Sequence, residues 1–236
     1  MYIMNQPTSE ILTSVFKKAF TQTKGNVFKF LPILIIVLLG VNYLVLQIFS
    51  DIDTEALLLD MQSNPNALEP FQNTVYLFAL ISLLLTPIEV GLMLMGVKAS
   101  RGLTIRSTDI FAIFSDSAKI VILAFVLSVF TQIGFSLLIL PGIFLLMMTS
   151  MAQPLMCDYR LSMVEAVKRS FKICYQHIGL VIPFYLVLCL LIIASFFTFG
   201  IALIVTIPFY LNAKGVLYCH LFDTPSNNSD TQTIES

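Results

Sequence analysis

The sequence predicts an all-α integral membrane protein: six transmembrane helices forming three hairpins, each preceded by a cytoplasmic amphipathic helix at the interface. Three observations predict it. First, 57% of the 236 residues are hydrophobic and 11% charged, where a soluble domain carries about 25% charged residues. Second, two runs hold no formal charge, 38 residues between Lys119 and Asp158 and 41 between Lys172 and Lys214. At about 1.5 Å per residue each overruns a hydrocarbon core of about 30 Å, so each needs two passes. Third, an even number of spans leaves all thirteen Lys and Arg residues on one side, which the positive-inside rule assigns to the cytoplasm together with both termini.

The elements follow in order. Leu12, Phe16 and Phe20 line one face of a helical pattern, with Lys17, Lys18 and Lys24 off it. The first span is expected over 30–49, followed by a loop holding Asp51, Asp53, Glu55, Asp60 and Glu69. The second covers 74–97 and contains Glu89. A short segment with Ile110, Phe111 and Phe114 on one face leads to the third and fourth spans, 120–140 and 143–157.

In "SLLILPGIFLLMM", the pair Pro141-Gly142 combines a missing N–H with a residue at ease in turns. The tight turn of a helical hairpin is therefore expected at Leu138 to Gly142. The fourth span is short, so its end reaches the interface; four spans with two half-inserted hairpins is the alternative count.

In "SMVEAVKRSFK", Ser162 and Glu165 have the capping-box spacing that starts a helix. Met163, Val167 and Phe171 share a face of that helix, and Lys168, Arg169 and Lys172 are basic. The fifth and sixth spans, 180–197 and 201–222, turn at Thr198 to Gly200. Residues 1–222 thus form a single transmembrane domain and 223–236 a polar tail expected to be disordered and cytoplasmic. "FKKAF" at Phe16 aligns with "VKRSF" at Val167, and Pro32 and Pro183 then share an offset, a pattern that fits repeated units.

The leader before Phe30 is polar and basic with no small-residue cleavage pattern, so no cleavable signal peptide is expected. Cys157, Cys174, Cys189 and Cys219 have no CxxC spacing. Cys174 and His177 stand three apart, a spacing compatible with a metal but read as an interfacial thiol beside an imidazole. There is no HExxH, no phosphate-cradling glycine loop and no defensible dyad for His177 or His220. The expectation is a protein without catalytic activity, cofactor or metal. Its cations are dispersed along the membrane face, a pattern for anionic lipid head groups rather than nucleic acid.

The stretch "LPGIFLLMMTSMAQPLMCDYRLSMVEAVKRSFKICYQHIGLVIPF" resembles a group of uncharacterised bacterial inner-membrane proteins. That group is similar to the membrane domain attached to some glycerophosphodiester phosphodiesterases. The resemblance is carried by Pro141, Gly142, Pro154, Asp158, Ala166, Ser170 and Phe171. It covers roughly the last hundred residues and implies a six-span protein of the bacterial inner membrane. In the fused relatives the phosphodiesterase activity belongs to a separate soluble barrel, so the resemblance is not expected to carry that activity to this chain.

Glu89 is the one ionisable residue deep in a span, nine residues from Lys98, or roughly 13 Å along a helix. Ser82, Thr86, Glu89, Met93 and Gly96 share its helical face, a stripe that belongs inside a bundle. Candidate partners are Asn42 in the first span, Gln132 in the third and Gln153 in the fourth. A carboxylate at this depth must be protonated, paired or turned to a polar interior. It is either a proton or cation site in a transport path or a neutral interhelical hydrogen bond worth about 1 kcal/mol. Lys17, Lys18, Lys168, Arg169 and Lys172 are the candidate contacts to anionic lipid. The partners expected are therefore membrane lipids and other membrane proteins.

A compartment reporter fused after Gly142 or Gly200 is expected to read the side opposite to one fused at the C-terminal tail. The same side for both would contradict the even span count.

Overall fold

The computed structural model describes residues 7–50, 69–197 and 202–223, and among them it is entirely helical. The α-helices are α1 (Thr8–Ser50), α2 (Glu69–Ser100), α3 (Ser117–Leu137), α4 (Ile139–Thr149), α5 (Ala152–Asp158), α6 (Met163–Gln176), α7 (Ile178–Phe196) and α8 (Leu203–Phe222). A 3₁₀ helix, Ser107–Asp116, precedes α3. Among the described residues, four stretches are long and apolar enough to cross a membrane: Tyr76–Ser100, Ser107–Leu137, Ile139–Asp158 and Ile178–Ser195. Only 22–39% of their apolar windows is buried within the chain. Most of their apolar side chains therefore face outward, the arrangement lipid stabilises and water does not.

The centre of the bundle is α8, which packs most extensively on α2 and α1. Every residue from Leu211 to Tyr218 is buried, Asn212 and Lys214 included. Two glycines set the α2–α8 distance. A Cβ on Gly215 would stand 2.5 Å from the carbonyl carbon of Gly96, and one on Gly96 would stand 2.8 Å from the Leu211 oxygen. Backbone meets backbone here, as at small-residue crossings in membranes. The polar residues that this inner position accommodates also keep α8 out of the set of apolar stretches.

Four expectations from sequence change shape. α1 is one helix of 43 residues, roughly 65 Å, and not an interfacial helix followed by a separate span. Gly25, with open space around it, does not stop the helix, and Pro32 sits within it. Its buried side is Val15, Ala19, Thr23 and Phe30, while Phe20 is 64% exposed. Phe16 stacks between Phe184 and Phe209, at 5.4 and 6.0 Å.

The segment before α3 is 3₁₀, and its period of three turns Ile110 and Ile113 inward and leaves Phe114 exposed. Ile110 fills the space over Gly91, where a Cβ would meet its Cγ1 at 2.7 Å.

The break between α3 and α4 is Leu138 alone, in extended backbone. Pro141 and Gly142 lie inside the first turn of α4. Proline at the third helical residue gives up an N–H that would have no partner there. Gly142 instead provides clearance, because a Cβ on it would be 2.5 Å from the Phe135 ring.

The stretch expected as one fourth span breaks at Ser150–Met151 into α4 and α5. Pro154 is the third residue of α5, and its ring excludes continuation across the carbonyl of Ser150. Ser170 of α6 donates to the Met148 carbonyl at 2.7 Å, satisfying an acceptor in the last turn of α4.

The capping box forms: Glu165 N–H donates to Ser162 Oγ at 3.4 Å and Ser162 N–H to Glu165 Oε2 at 3.1 Å. The Ser162 hydroxyl also donates to Glu165 Oε2 at 2.6 Å, and this bond, followed by that from the Ser162 N–H, holds the exposed Glu165 carboxyl below its usual range. α6 buries Ala166, Ser170, Ile173 and Cys174, and the expected face of Met163, Val167 and Phe171 packs half-buried at its flank. The aligned repeat units differ locally, since α6 and α7 break at His177 whereas α1 runs on. The turn at Thr198 to Gly200, the acidic residues Asp51 to Asp60 and the tail beyond Asp223 lie outside the described residues.

Gly215→Ala is expected to lower the unfolding midpoint in micelles, at a cost of about 1–3 kcal/mol for overpacking. Gly25→Ala, with open space around it, is expected to leave the midpoint unchanged or raise it.

Candidate functional site

The α2–α8 crossing brings Glu89 beside Lys214, a residue whose position near the inner end of the sixth span read as a mark of topology. Glu89 Oε1 is 4.0 Å from Lys214 Nζ, and the two side chains are unequally placed, 55% and 7% exposed. Lys214 Nζ also lies over the Tyr210 ring, 5.2 Å from its centroid. Glu89, but not Lys214, lines a lateral cavity of about 400 Å³ between α2, α7 and α8. Ser82, Thr206 and Tyr210 are its further polar members; Leu85, Ile88, Leu92 and Ile207 dominate its walls.

The stripe proposed on α2 is thus divided. Met93 and Gly96 are buried in the bundle, whereas Ser82 and Glu89 face the cavity. Ser82 donates to the Ala79 carbonyl at 2.9 Å, and Thr86 donates to the Leu83 carbonyl. Gln132 lies on an exposed face of α3, and Gln153 sits half-buried on α5; neither lines the cavity. The Asn42 side chain lies outside the described residues.

A second constellation closes the opposite end of α2. Arg101 Nη1 and Nη2 donate to Asp158 at 2.8 and 2.6 Å. Its Nε and Nη2 donate to Asp223 at 2.9 and 2.8 Å. Tyr218 donates to Asp158 at 2.9 Å and Tyr159 to Asp223 at 3.2 Å. The ends of α2, α5 and α8 are so tied by one guanidinium, whose planar fork suits two carboxylates. Hydrogen bonds to Asp158 and then Asp223 push the Arg101 pKa further up. Burial works to raise the Asp223 carboxyl, but Arg101 holds it below the usual carboxylate range. Burial, then the Asp223 charge, pushes Tyr159 up to about 12.

The cations expected at lipid are distributed differently from one another. Lys18 Nζ donates to the Ser100 carbonyl at 3.0 Å, capping the C-terminus of α2. Lys17, Lys168 and Lys172 are exposed, and Arg169 lies over the Tyr159 ring at 4.8 Å. Cys174 is buried and His177 exposed, and among the described residues no group of three His, Cys, Asp or Glu could hold a metal. Comparison with protein-family models, curated proteins and solved structures finds no match for this chain.

Arg101→Gln is expected to destabilise the protein by about 1–2 kcal/mol, the cost of a broken buried pair discounted for partial exposure. Asp223 has a folded pKa below its unfolded one, so its contribution is present above about pH 4 and is lost as pH falls through the folded value. The stability gap between wild type and Arg101→Gln should accordingly be full at pH 7 and narrow below pH ~4, as read by denaturation midpoints across pH.

Proposed function

We propose that this chain is a non-catalytic, six-span protein of the bacterial inner membrane, with both termini cytoplasmic, that works by engaging membrane lipid. One observation carries the reading: the lateral cavity combines apolar walls with Glu89, the exposed member of an ion pair whose cation is buried behind it. Such a site fits an amphiphile that lays apolar surface along Leu85 and Ile207 and sets a hydrogen-bond donor against Glu89. Desolvation makes an uncovered carboxylate costly at hydrocarbon depth, which favours a resident partner. The unmatched outward apolar faces of α3, including Phe125 and Phe130, support contact with lipid over a broad area.

A carrier is the second reading, favoured by the position of Glu89 in a cavity at span depth beside the buried Lys214, where a carboxylate can exchange its partner for a proton or cation.

A photoactivatable acyl-chain lipid in proteoliposomes separates them. Its crosslinks are expected to concentrate at Leu85 and Ile207 above the background at Phe125 and Phe130. Glu89→Gln should leave the internal pH of dye-loaded vesicles no different from wild type. A proton or solute flux abolished by Glu89→Gln would overturn the lipid-engagement reading in favour of the carrier.

A further inference from the structure

Two neighbouring cavities lie along α2 and α3, an apolar outer part and a charged inner part, with no lining residue in common. The outer part, about 610 Å³, is lined by Leu84, Pro87 and Ile88 of α2 and by Val121 and Ile122 of α3. Leu84, Phe114 and Ile122 are more than half exposed, so this part opens sideways. The inner part, about 670 Å³, continues along the same side of α2 through Gly91, Met95 and Lys98. Leu84, Ile88, Gly91, Met95 and Lys98 recur every three or four residues, so a single helical face floors both.

The inner part carries charges of both signs. Lys98 faces Asp109 at 3.5 Å, and Lys119 faces Asp116 at 2.9 Å, with half or more of the Lys119 side chain in the open. Arg101 also lines it, but its donors are committed to Asp158 and Asp223. Arg160 is the remaining cation, exposed, and among the described residues it has no ion-pair partner. Its backbone is left-handed, at φ 52°, one residue past the C-cap of α5. Glycine is the usual residue there. An arginine in that conformation meets steric opposition from its own Cβ and places a guanidinium on the cleft wall. Backbone strain of this kind is found where the residue has work to do.

Cations and carboxylates surround one space, and an apolar trough lies beside it on the same face of α2. We infer that this cleft binds a zwitterionic glycerophospholipid whose head group pairs a phosphate with a primary ammonium. Arg160, with Lys119 and Lys98, takes the phosphate. Asp116 and Asp109 take the ammonium, and an acyl chain follows Leu84, Ile88, Val121 and Ile122. A purely anionic head group would leave the two carboxylates facing negative charge. A choline head group would offer them no N–H donor. The proposal rests on the reading that this protein engages lipid, but its charged part shares no lining residue with the Glu89 cavity.

The test is native mass spectrometry of the full chain in detergent, titrated with phosphatidylethanolamine, phosphatidylglycerol and phosphatidylcholine of matched chains. Phosphatidylethanolamine is expected to bind about tenfold more tightly than the other two. Arg160→Gly relieves the backbone while removing the guanidinium. It should keep or raise the thermal midpoint and lose that preference, and Arg160→Lys should retain part of it. Equal binding of the three lipids, or a preference unchanged in Arg160→Gly, overturns the head-group site while leaving general lipid engagement standing. Retention of no lipid by the wild type overturns both. Displacement of the lipid by soluble phosphoethanolamine at equal concentration would show that the cleft takes a free phosphoamine, and the lipid assignment would fail.

Discussion

The contact between Gly96 and Gly215 is the constraint on which the rest of the molecule depends. Two helices that touch through backbone cannot slide or rotate without collision, so every pair flanking the crossing is held in register. Toward the membrane interior it puts Glu89 against Lys214. Toward the charged end it puts the Cys219 thiol 3.7 Å from the Val97 carbonyl and Asp223 on Arg101. The close approach also leaves α8 little lipid exposure, which is how one helix can hold Asn212 and Lys214 without presenting either to hydrocarbon.

The second organising feature is the use of proline and hydroxyl groups to break helices without abandoning backbone groups. Pro141 and Pro154 each stand at the third residue of a new helix, where the absent N–H has no intrahelical partner to lose. The acceptor at Met148 is met by Ser170, and Ser150 at the break accepts the Tyr185 hydroxyl at 2.6 Å. These arrangements keep α4, α5, α6 and α7 together although three of the four are short. They also set the end of α5 where Asp158 reaches Arg101 and where Arg160 turns into the cleft between α2 and α3.

Local signals in the sequence were read well where the physics is local. The charge-free runs mark helices α3 to α5 and α7 to α8, and the spacing of Ser162 and Glu165 marks the start of α6. The helical face through Glu89 and Gly96 indicated an inward side of α2, although only its inner half is buried. Pairings across the chain were not legible. Lys214 and Arg101 belong to the set of cations from which orientation is read in the sequence, and nothing near them in sequence distinguishes an exposed cation from one that pairs inside the bundle. Gln132 of α3 is expected from sequence to meet Glu89, yet it lies on an exposed face, and Ser128 and Ser136, four residues to either side, donate to carbonyls of their own helix. Recurrence every four residues defines a face but not the direction it points. The 3₁₀ geometry before α3 likewise depends on Gly91, a residue on another helix, accepting Ile110.

The α2–α8 crossing can be tested directly in native membranes. With Cys157, Cys174 and Cys189 replaced by alanine, Val97→Cys is paired with the native Cys219 and treated with a short bifunctional thiol reagent. The account predicts an intramolecular crosslink between positions 97 and 219, and none when the introduced cysteine is at the outward-facing Leu84. A crosslink from position 84 with none from 97 would place different faces of α2 and α8 together and contradict the fold from which both candidate sites are built.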